Sequence, residues 1–273
     1  MSAKRVRTTD LRRKKQRREK ITMLTAYDTP TAKLLDQAGI DAILVGDSVG
    51  MVVLGYDNTL PVTLDAMVHH TSAVSRGVER ALVIADMPFL TYQVTTAKAI
   101  RNAGRLLQDG GAAAVKLEGG RAIVDVVRRL VEVGIPVMGH LGVRPQSVHQ
   151  LGGYAQRGTE AREAEAIRVD ARALVDAGVF AIVLESIPDA LARTITESLE
   201  VPTIGIGAGP GCDGQVLVST DMLGMSDHVP PFVKQYAALG EEILAAARVY
   251  VEDVQTGRFP AAAPKPADRV VAR

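Results

Sequence analysis

Five apolar runs in this 273-residue chain each end in an ionisable side chain: AILVGDS at 42–48, LVIADMPF at 82–89, AAVKLEGG at 113–120, PVMGHLG at 136–142 and AIVLES at 181–186. Runs of this length and aliphatic content read as strands buried on both faces, as in a parallel sheet. A parallel barrel carries its chemistry at the carboxyl ends of its strands. Asp47, Asp86, Lys116, Glu118, His140 and Glu185 stand at that place in the pattern.

Three further strand candidates, 21–27, 202–209 and 215–220, bring the count to eight. Helical periodicity falls between them at about 29–38, 63–77, 95–109, 121–134, 160–178 and 188–199, with a long final helix expected over 231–256. The alternation predicts a single-domain (β/α)8 TIM barrel over 21–260 rather than an open doubly wound sheet. No G-x-G-x-x-G turn follows the first strand, and GIGAGPG at 205–211 comes too late to serve as a dinucleotide loop. Pro- and Ala-rich residues 261–273 are expected to be a disordered tail.

Residues 1–20 hold ten Lys or Arg against Asp10 and Glu19, so this arm carries +8 while the remaining 253 residues carry −7. With no aromatic interleaving and no binding motif, the arm reads as a solvated helix or tail rather than a nucleic-acid contact. No 18-residue uncharged apolar stretch occurs, so no membrane partner is expected. The lone Cys212 excludes an internal disulfide framework, and no signal-like segment opens the chain. The cytoplasm is the expected location.

Side chains on a strand alternate in direction, so Lys116 and Glu118 share a face, as do Ile84 with Asp86 and Val45 with Asp47. The charged groups are then expected to meet at one mouth. Three carboxylates there repel one another and require neutralisation. Lys116 supplies one charge, and Asp47, Asp86 and Glu118 offer the all-oxygen set that magnesium prefers. Zinc has no His or Cys cluster to hold it. A cation chelated by a 2-oxo acid would stabilise an enolate. Glu185, after the apolar AIVL, suits a general base whose surroundings bring its carboxyl toward the working pH. His140 or Lys116 could hydrogen-bond the enolate or the substrate carboxylate.

Plainer readings exist for each residue. Asp47 or Glu185 alone could be the amino cap of the next helix, and Lys116 with Glu118 a simple rim ion pair. His69 and His70 are adjacent on a helix and face no common partner, while His149 and His228 lack ligand spacing. Cys212 reads as a small apolar residue. The glycines of GIGAGPG could cradle a phosphate or simply permit tight packing.

The segments MLTAYD at 23–28, VGDSVGMVVLGYDNTLPVTLDAM at 45–67, VKLEGG at 115–120, MGHLGVRPQSV at 138–148 and IGIGAGPGCDGQVLV at 204–218 resemble the ketopantoate hydroxymethyltransferase family. FVKQYA at 232–237 and GRFP at 257–260 resemble its carboxyl-terminal helix and end, so the likeness runs from about 20 to 260. The resemblance implies a (β/α)8 barrel transferring a hydroxymethyl group from 5,10-methylenetetrahydrofolate to 3-methyl-2-oxobutanoate, with Mg2+. The product would be 2-dehydropantoate (ketopantoate), for pantothenate synthesis. By the same resemblance Asp47 and Asp86 are metal ligands, with Glu118 nearby and bound through water. Ser48 and Lys116, with the two aspartates, contact the substrate; Glu185 accepts the proton and His140 is a hydrogen-bond partner. Homo-oligomers, often decamers, in the cytoplasm are also implied. The chain departs from the family pattern in its basic RRKKQRR arm and in GGYAQRGTEA at 152–161, which puts the closing loop in question. A magnesium-dependent lyase or mutase of oxo acids is the competing reading on the same barrel. Such lyases are expected to carry a cysteine near mid-barrel, whereas Cys212 follows the seventh strand.

Overall fold

The eight apolar runs close on themselves in sequence order as an all-parallel barrel in the computed structural model, which describes residues 4–260. The strands are β1 (Ile21–Thr25), β2 (Ala42–Val45), β3 (Leu82–Asp86), β4 (Ala114–Glu118), β5 (Val137–Gly142), β6 (Ala181–Glu185), β7 (Thr203–Ile206) and β8 (Gly214–Leu217). Helices α1 (Thr8–Gln16), α2 (Thr29–Gln37), α3 (Val49–Val52), α4 (Leu64–Gly77), α5 (Thr96–Gln108), α6 (Val124–Glu132), α7 (Val148–Leu151), α8 (Ala161–Asp176) and α9 (Asp189–Ser198) alternate with them. Short α10 (Ser219–Met222) and long α11 (Leu239–Gln255) follow. This is the expected (β/α)8 barrel. The tail expected at 261–273 lies outside the described residues.

Helix starts follow their caps. The Asp28 carboxylate accepts the Thr31 N–H ahead of α2, and Thr63 and Thr95 do the same for Ala66 and Lys98 at α4 and α5, each cap worth about 1 kcal/mol. Closure is made by β1 against β8, with Met23 opposite Val216. A closed sheet sorts every strand into an inside and an outside. Val45, Ala85, Val115, Leu117 and Ile182 face the helices in one core cluster. Met23, Leu44, Ile84, Met138, Val183 and Ile204 fill the barrel in another. The inward series then turns polar toward the carboxyl ends, from Ile84 to Asp86, Ala114 to Lys116 and Glu118, and Met138 to His140.

The amino-terminal arm, expected to be a solvated helix or tail, forms helix α1 and is largely exposed, but one face of it is seated on the barrel. Leu11 of α1 is fully buried in the same cluster that fills the barrel. Around it, Lys14 Nζ reaches Asp41 Oδ2 at 2.7 Å and Lys15 Nζ reaches Asp213 Oδ2 at 2.8 Å, at the amino ends of β2 and β8. Burial alone would raise the Asp41 carboxyl, yet the Lys14 ammonium and the Thr22 hydrogen bonds hold it below its ordinary value. Part of the arm's charge thus neutralises aspartates at the foot of the barrel, which charge counting along the sequence does not reveal.

By contact density the chain divides into two units, one ending at Ser219 and one beginning at Thr220. Within the second, the final helix starts at Leu239 rather than at 231. The N–H of Tyr236 ahead of the helix and those of Leu239 and Gly240 in its first turn donate to the carbonyls of Met222, Leu223 and Gly224, which satisfy the donors at this helix start. Among the described residues, no helix is long and apolar enough to cross a membrane.

Leu11→Ala should lower stability by about 2–5 kcal/mol, the range for emptying a fully buried leucine site. Chemical denaturation of the two proteins measures it. A difference below about 0.5 kcal/mol, the size of a surface change, would mean that α1 is not seated in the barrel.

Candidate active site

Register brings the charged strand ends together. Asp86 stands opposite Lys116 on β3 and β4, Glu118 opposite His140 on β4 and β5, and Gly142 opposite Glu185 on β5 and β6. Lys116 Nζ lies 2.8 Å from Asp86 Oδ1 and 3.2 Å from His140 Nδ1. The imidazole continues the chain, with Nδ1 3.5 Å from Glu118 Oε1 and Nε2 3.2 Å from Glu185 Oε2. Side chains of Asp86, Lys116, Glu118 and His140 are at most 5% exposed, whereas Glu185 is 22% exposed. The apolar seclusion expected for Glu185 is therefore not found: it is the cluster's carboxylate that meets solvent. The next residue, Ser186, holds a left-handed φ of +47°, a conformation that costs a non-glycine residue on the order of 1–3 kcal/mol.

Asp47 reaches this group by a different route from the one alternation suggested. Val45 faces outward, so a continued strand would carry Asp47 outward too. Instead β2 stops at Val45 and the chain turns through Gly46, where a Cβ would meet Ser48 Oγ at 2.7 Å. That turn lets the Asp47 N–H donate to Asp86 Oδ2 at 3.0 Å. Neither Asp47 nor Glu185 caps a helix: Ser48 occupies the cap of α3 and Pro188 that of α9. Ser48 Oγ pairs with Tyr27 Oη at 2.8 Å at the edge of the group.

Burial and the charges of Asp86 and Glu118 push the Asp47 carboxyl well above its ordinary value. Asp86 is also raised, chiefly by burial, although Lys116 opposes the shift. Glu118 goes the other way: burial would raise it, but His140, Lys116 and the Gln146 N–H outweigh that and hold it low. Lys116 is raised despite burial by the three surrounding carboxylates. For His140, burial and Lys116 both disfavour the imidazolium, but Glu118 and Glu185 at its ring nitrogens lift it to about 9.

Two buried residues that the sequence reading missed hold the cluster from the side. Gln146, after β5, donates its amide N–H groups to Asp47 Oδ2 at 2.8 Å and to the Met87 carbonyl at 2.9 Å. Its main-chain N–H donates to Glu118 Oε2 at 3.0 Å. Tyr92, 1% exposed, places its hydroxyl 2.8 Å from Gln146 Oε1 and accepts the Glu118 N–H at 3.2 Å. Their only sequence cue was position in loops after strands β3 and β5, where a glutamine or tyrosine attracts no notice beside carboxylates.

Among the described residues, no three His, Cys, Asp or Glu side chains form a ready-made metal cage. Magnesium seldom uses one, since one or two carboxylates plus water and substrate complete its octahedron. The donors present suit that mode: mutually repelling buried carboxylates and all-oxygen ligands. The residues fit a hard divalent cation. GIGAGPG does not make a phosphate cradle, because a Cβ at Gly209 would meet the Asp189 side chain at 2.6 Å and a carboxylate there opposes an anion. Cys212 is buried beside Gly205, and its carbonyl takes Lys20 Nζ at 2.6 Å, at the foot of the barrel rather than its mouth. His70 Nδ1 bonds the Tyr27 carbonyl at 2.7 Å. In the 152–161 segment, the Arg157 N–H donates to the carbonyl of Ser186, the residue after Glu185.

Closed parallel strands with an acid–base cluster at their carboxyl ends define a (β/α)8-barrel enzyme. The comparisons narrow that class. A ketopantoate hydroxymethyltransferase family model matches residues 5–262, and the chain belongs to that family, making it a transferase of one-carbon groups. It is 59% identical over 257 residues to the 3-methyl-2-oxobutanoate hydroxymethyltransferase of Moorella thermoacetica, covering 94% of this chain and 96% of that one. The enzyme of the same name from Thermosynechococcus vestitus is 56% identical, with 92% and 96% covered. Among solved structures, a phosphonopyruvate hydrolase complexed with oxalate and Mg++ aligns with a TM-score of 0.63 at 14% identity, covering 95% and 92%. A 2,3-dimethylmalate lyase aligns at 0.60 and 21% identity, covering 96% and 91%. These two likenesses establish the fold.

In protein free of added metal, His140 should keep its second ring proton well beyond the ordinary pKa of 6.5, to about pH 9. With the folded value above the unfolded one, its stabilising contribution is complete below about pH 6.5 and is lost as pH rises through about 9. Imidazole 15N shifts followed against pH would report this directly, and titration near 6.5 would contradict it.

Proposed function

We propose that the chain transfers a hydroxymethyl group from 5,10-methylenetetrahydrofolate to 3-methyl-2-oxobutanoate. Water is consumed, and tetrahydrofolate and 2-dehydropantoate are released for pantothenate biosynthesis. The relatives' shared name supports the substrate and the pathway. The observation that carries the chemistry is the pairing of three buried carboxylates with a fourth, Glu185, that opens to solvent.

In this reading Asp47 and Asp86 would hold Mg2+, with Glu118 beside them. A bound magnesium ion would act as a Lewis acid on the keto oxygen of the oxo acid, worth on the order of several kcal/mol. Ser48, beside Tyr27, and Lys116 orient the oxo acid with the two aspartates. Glu185 removes the proton from C3, which is acidic because the carbanion is conjugated with the C2 carbonyl. His140 aims Glu185, since its Nε2 lies 3.2 Å from Glu185 Oε2. Lys116 adds positive charge where the enolate develops. The C3 carbanion then bonds to the methylene carbon of the folate, both carbon–nitrogen bonds of that carbon break, water supplies the hydroxyl, and the two nitrogens take up the proton from C3 and the remaining proton of the water.

The same proposal covers assembly, place and extent. α11 leaves Ile243, Leu244, Tyr250, Val251 and Val254 exposed and buries none of its residues in the single chain, which supports a homo-oligomer, decameric in the form the resemblance implies. The cytoplasm is the proposed location, and 21–260 the proposed catalytic domain after the arm at 1–20. Neither nucleic acid nor membrane is a proposed partner; Lys14 and Lys15 are engaged with aspartates of the fold.

Incubation with Mg2+, the oxo acid and methylenetetrahydrofolate should yield 2-dehydropantoate. No product, or folate-independent cleavage of a dicarboxylic acid, would overturn the reading, the latter in favour of a lyase. Asp47→Ala and Asp86→Ala should each reduce turnover to background while circular dichroism stays native. Retained activity in either variant removes that residue from the metal site. Glu185→Gln should slow deuterium exchange at C3 of the oxo acid in heavy water by about 100- to 10,000-fold, the usual worth of a general base. Exchange at the wild-type rate would assign the base elsewhere.

A further inference from the structure

Gln146 is saturated with hydrogen bonds, and the chemistry of its neighbours leaves one orientation for its amide. Asp47 Oδ2 and the Met87 carbonyl are acceptors, so the NH2 group must face them. Tyr92 Oη and Gln93 Nε2, at 2.8 and 3.3 Å, supply donors to Oε1 on the other side. A flipped amide would set an oxygen against a carboxylate and a carbonyl, losing both of those hydrogen bonds. The residue is 5% exposed and sits in the helical turn Pro145–Ser147, which follows the strand that carries His140 after Val143 and Arg144.

What this locked amide does follows from what it touches. It engages one oxygen of Asp47, while the main-chain N–H of the same residue engages one oxygen of Glu118. Those carboxylates come from β4 and the turn after β2, and no hydrogen bond joins them directly. Gln146 therefore ties together two acidic groups that would otherwise repel, and it takes up only one oxygen of each. A neutral donor suits this task, because a lysine would compete with the cation and a carboxylate would add repulsion.

We infer that Gln146 is a positioning residue for the divalent cation: its side-chain amide and main-chain N–H hold Asp47 and Glu118 in the arrangement that receives the metal. The inference rests on the cation site proposed above. Tyr92 supports it from behind by fixing Oε1.

The test is direct binding of Mn2+ to the full-length, metal-free enzyme, read from the electron paramagnetic resonance of free Mn2+. Wild type should bind about one ion per chain. Gln146→Leu, which keeps the bulk and removes the donors, should weaken binding by about 10- to 100-fold, the effect expected when a partner of a metal ligand is lost. Circular dichroism and the thermal midpoint report whether the variant remains folded. If Gln146→Leu does not fold, Gln146→Met, unbranched and of similar volume, is measured against the same expectation. Tyr92→Phe should weaken Mn2+ binding less than either. A folded Gln146 variant that binds Mn2+ as tightly as wild type would overturn the inference. Absence of Mn2+ binding by wild type would instead overturn the cation site itself, so the two failures are distinct.

Discussion

A closed sheet of parallel strands has an interior that must be filled, and in this protein the filling changes character along the barrel axis. Leu11 and the aliphatic inward residues occupy the amino-terminal part, where no water or ligand is needed. Two residues farther along the same strands, Asp86, Lys116 and His140 take their place. Burying such groups is costly unless each is paired. The charged layer is held in place by apolar packing beneath it and main-chain register around it.

Within that layer, charge balance is incomplete. Four carboxylates face one ammonium and one imidazole, and the closest approaches are ion pairs or ion–dipole contacts of about 3 Å. At the foot of the barrel the account closes: Lys14 answers Asp41 and Lys15 answers Asp213. The surplus of carboxylates at the mouth is thus local. It is the difference between a structural ion pair, complete by itself, and a site that still lacks positive charge.

Much of the fold could be read along the chain because aliphatic runs and helical periods are local signals. All eight strands and the principal barrel helices appear where the pattern puts them. The strand ends also named most of the charged cluster. Three things stayed out of reach. The arm's lysines looked solvated because their aspartate partners lie 27 and 198 residues away. The final helix looked longer because the carbonyls at 222–224 that take its early N–H groups are not sequence neighbours. Gln146 looked ordinary because an amide acquires meaning only from the acceptors placed against it.

Sequence alone determined the order of strands, the family and the identity of the charged residues at strand ends, since each depends on neighbours within a few positions. Tertiary structure decided which oxygen meets which donor. Asp47 shows the difference: alternation would have turned it outward, and a glycine turn against Ser48 and Asp86 brings it in. Direction at a strand end depends on where pairing stops, and pairing is a property of two strands rather than one.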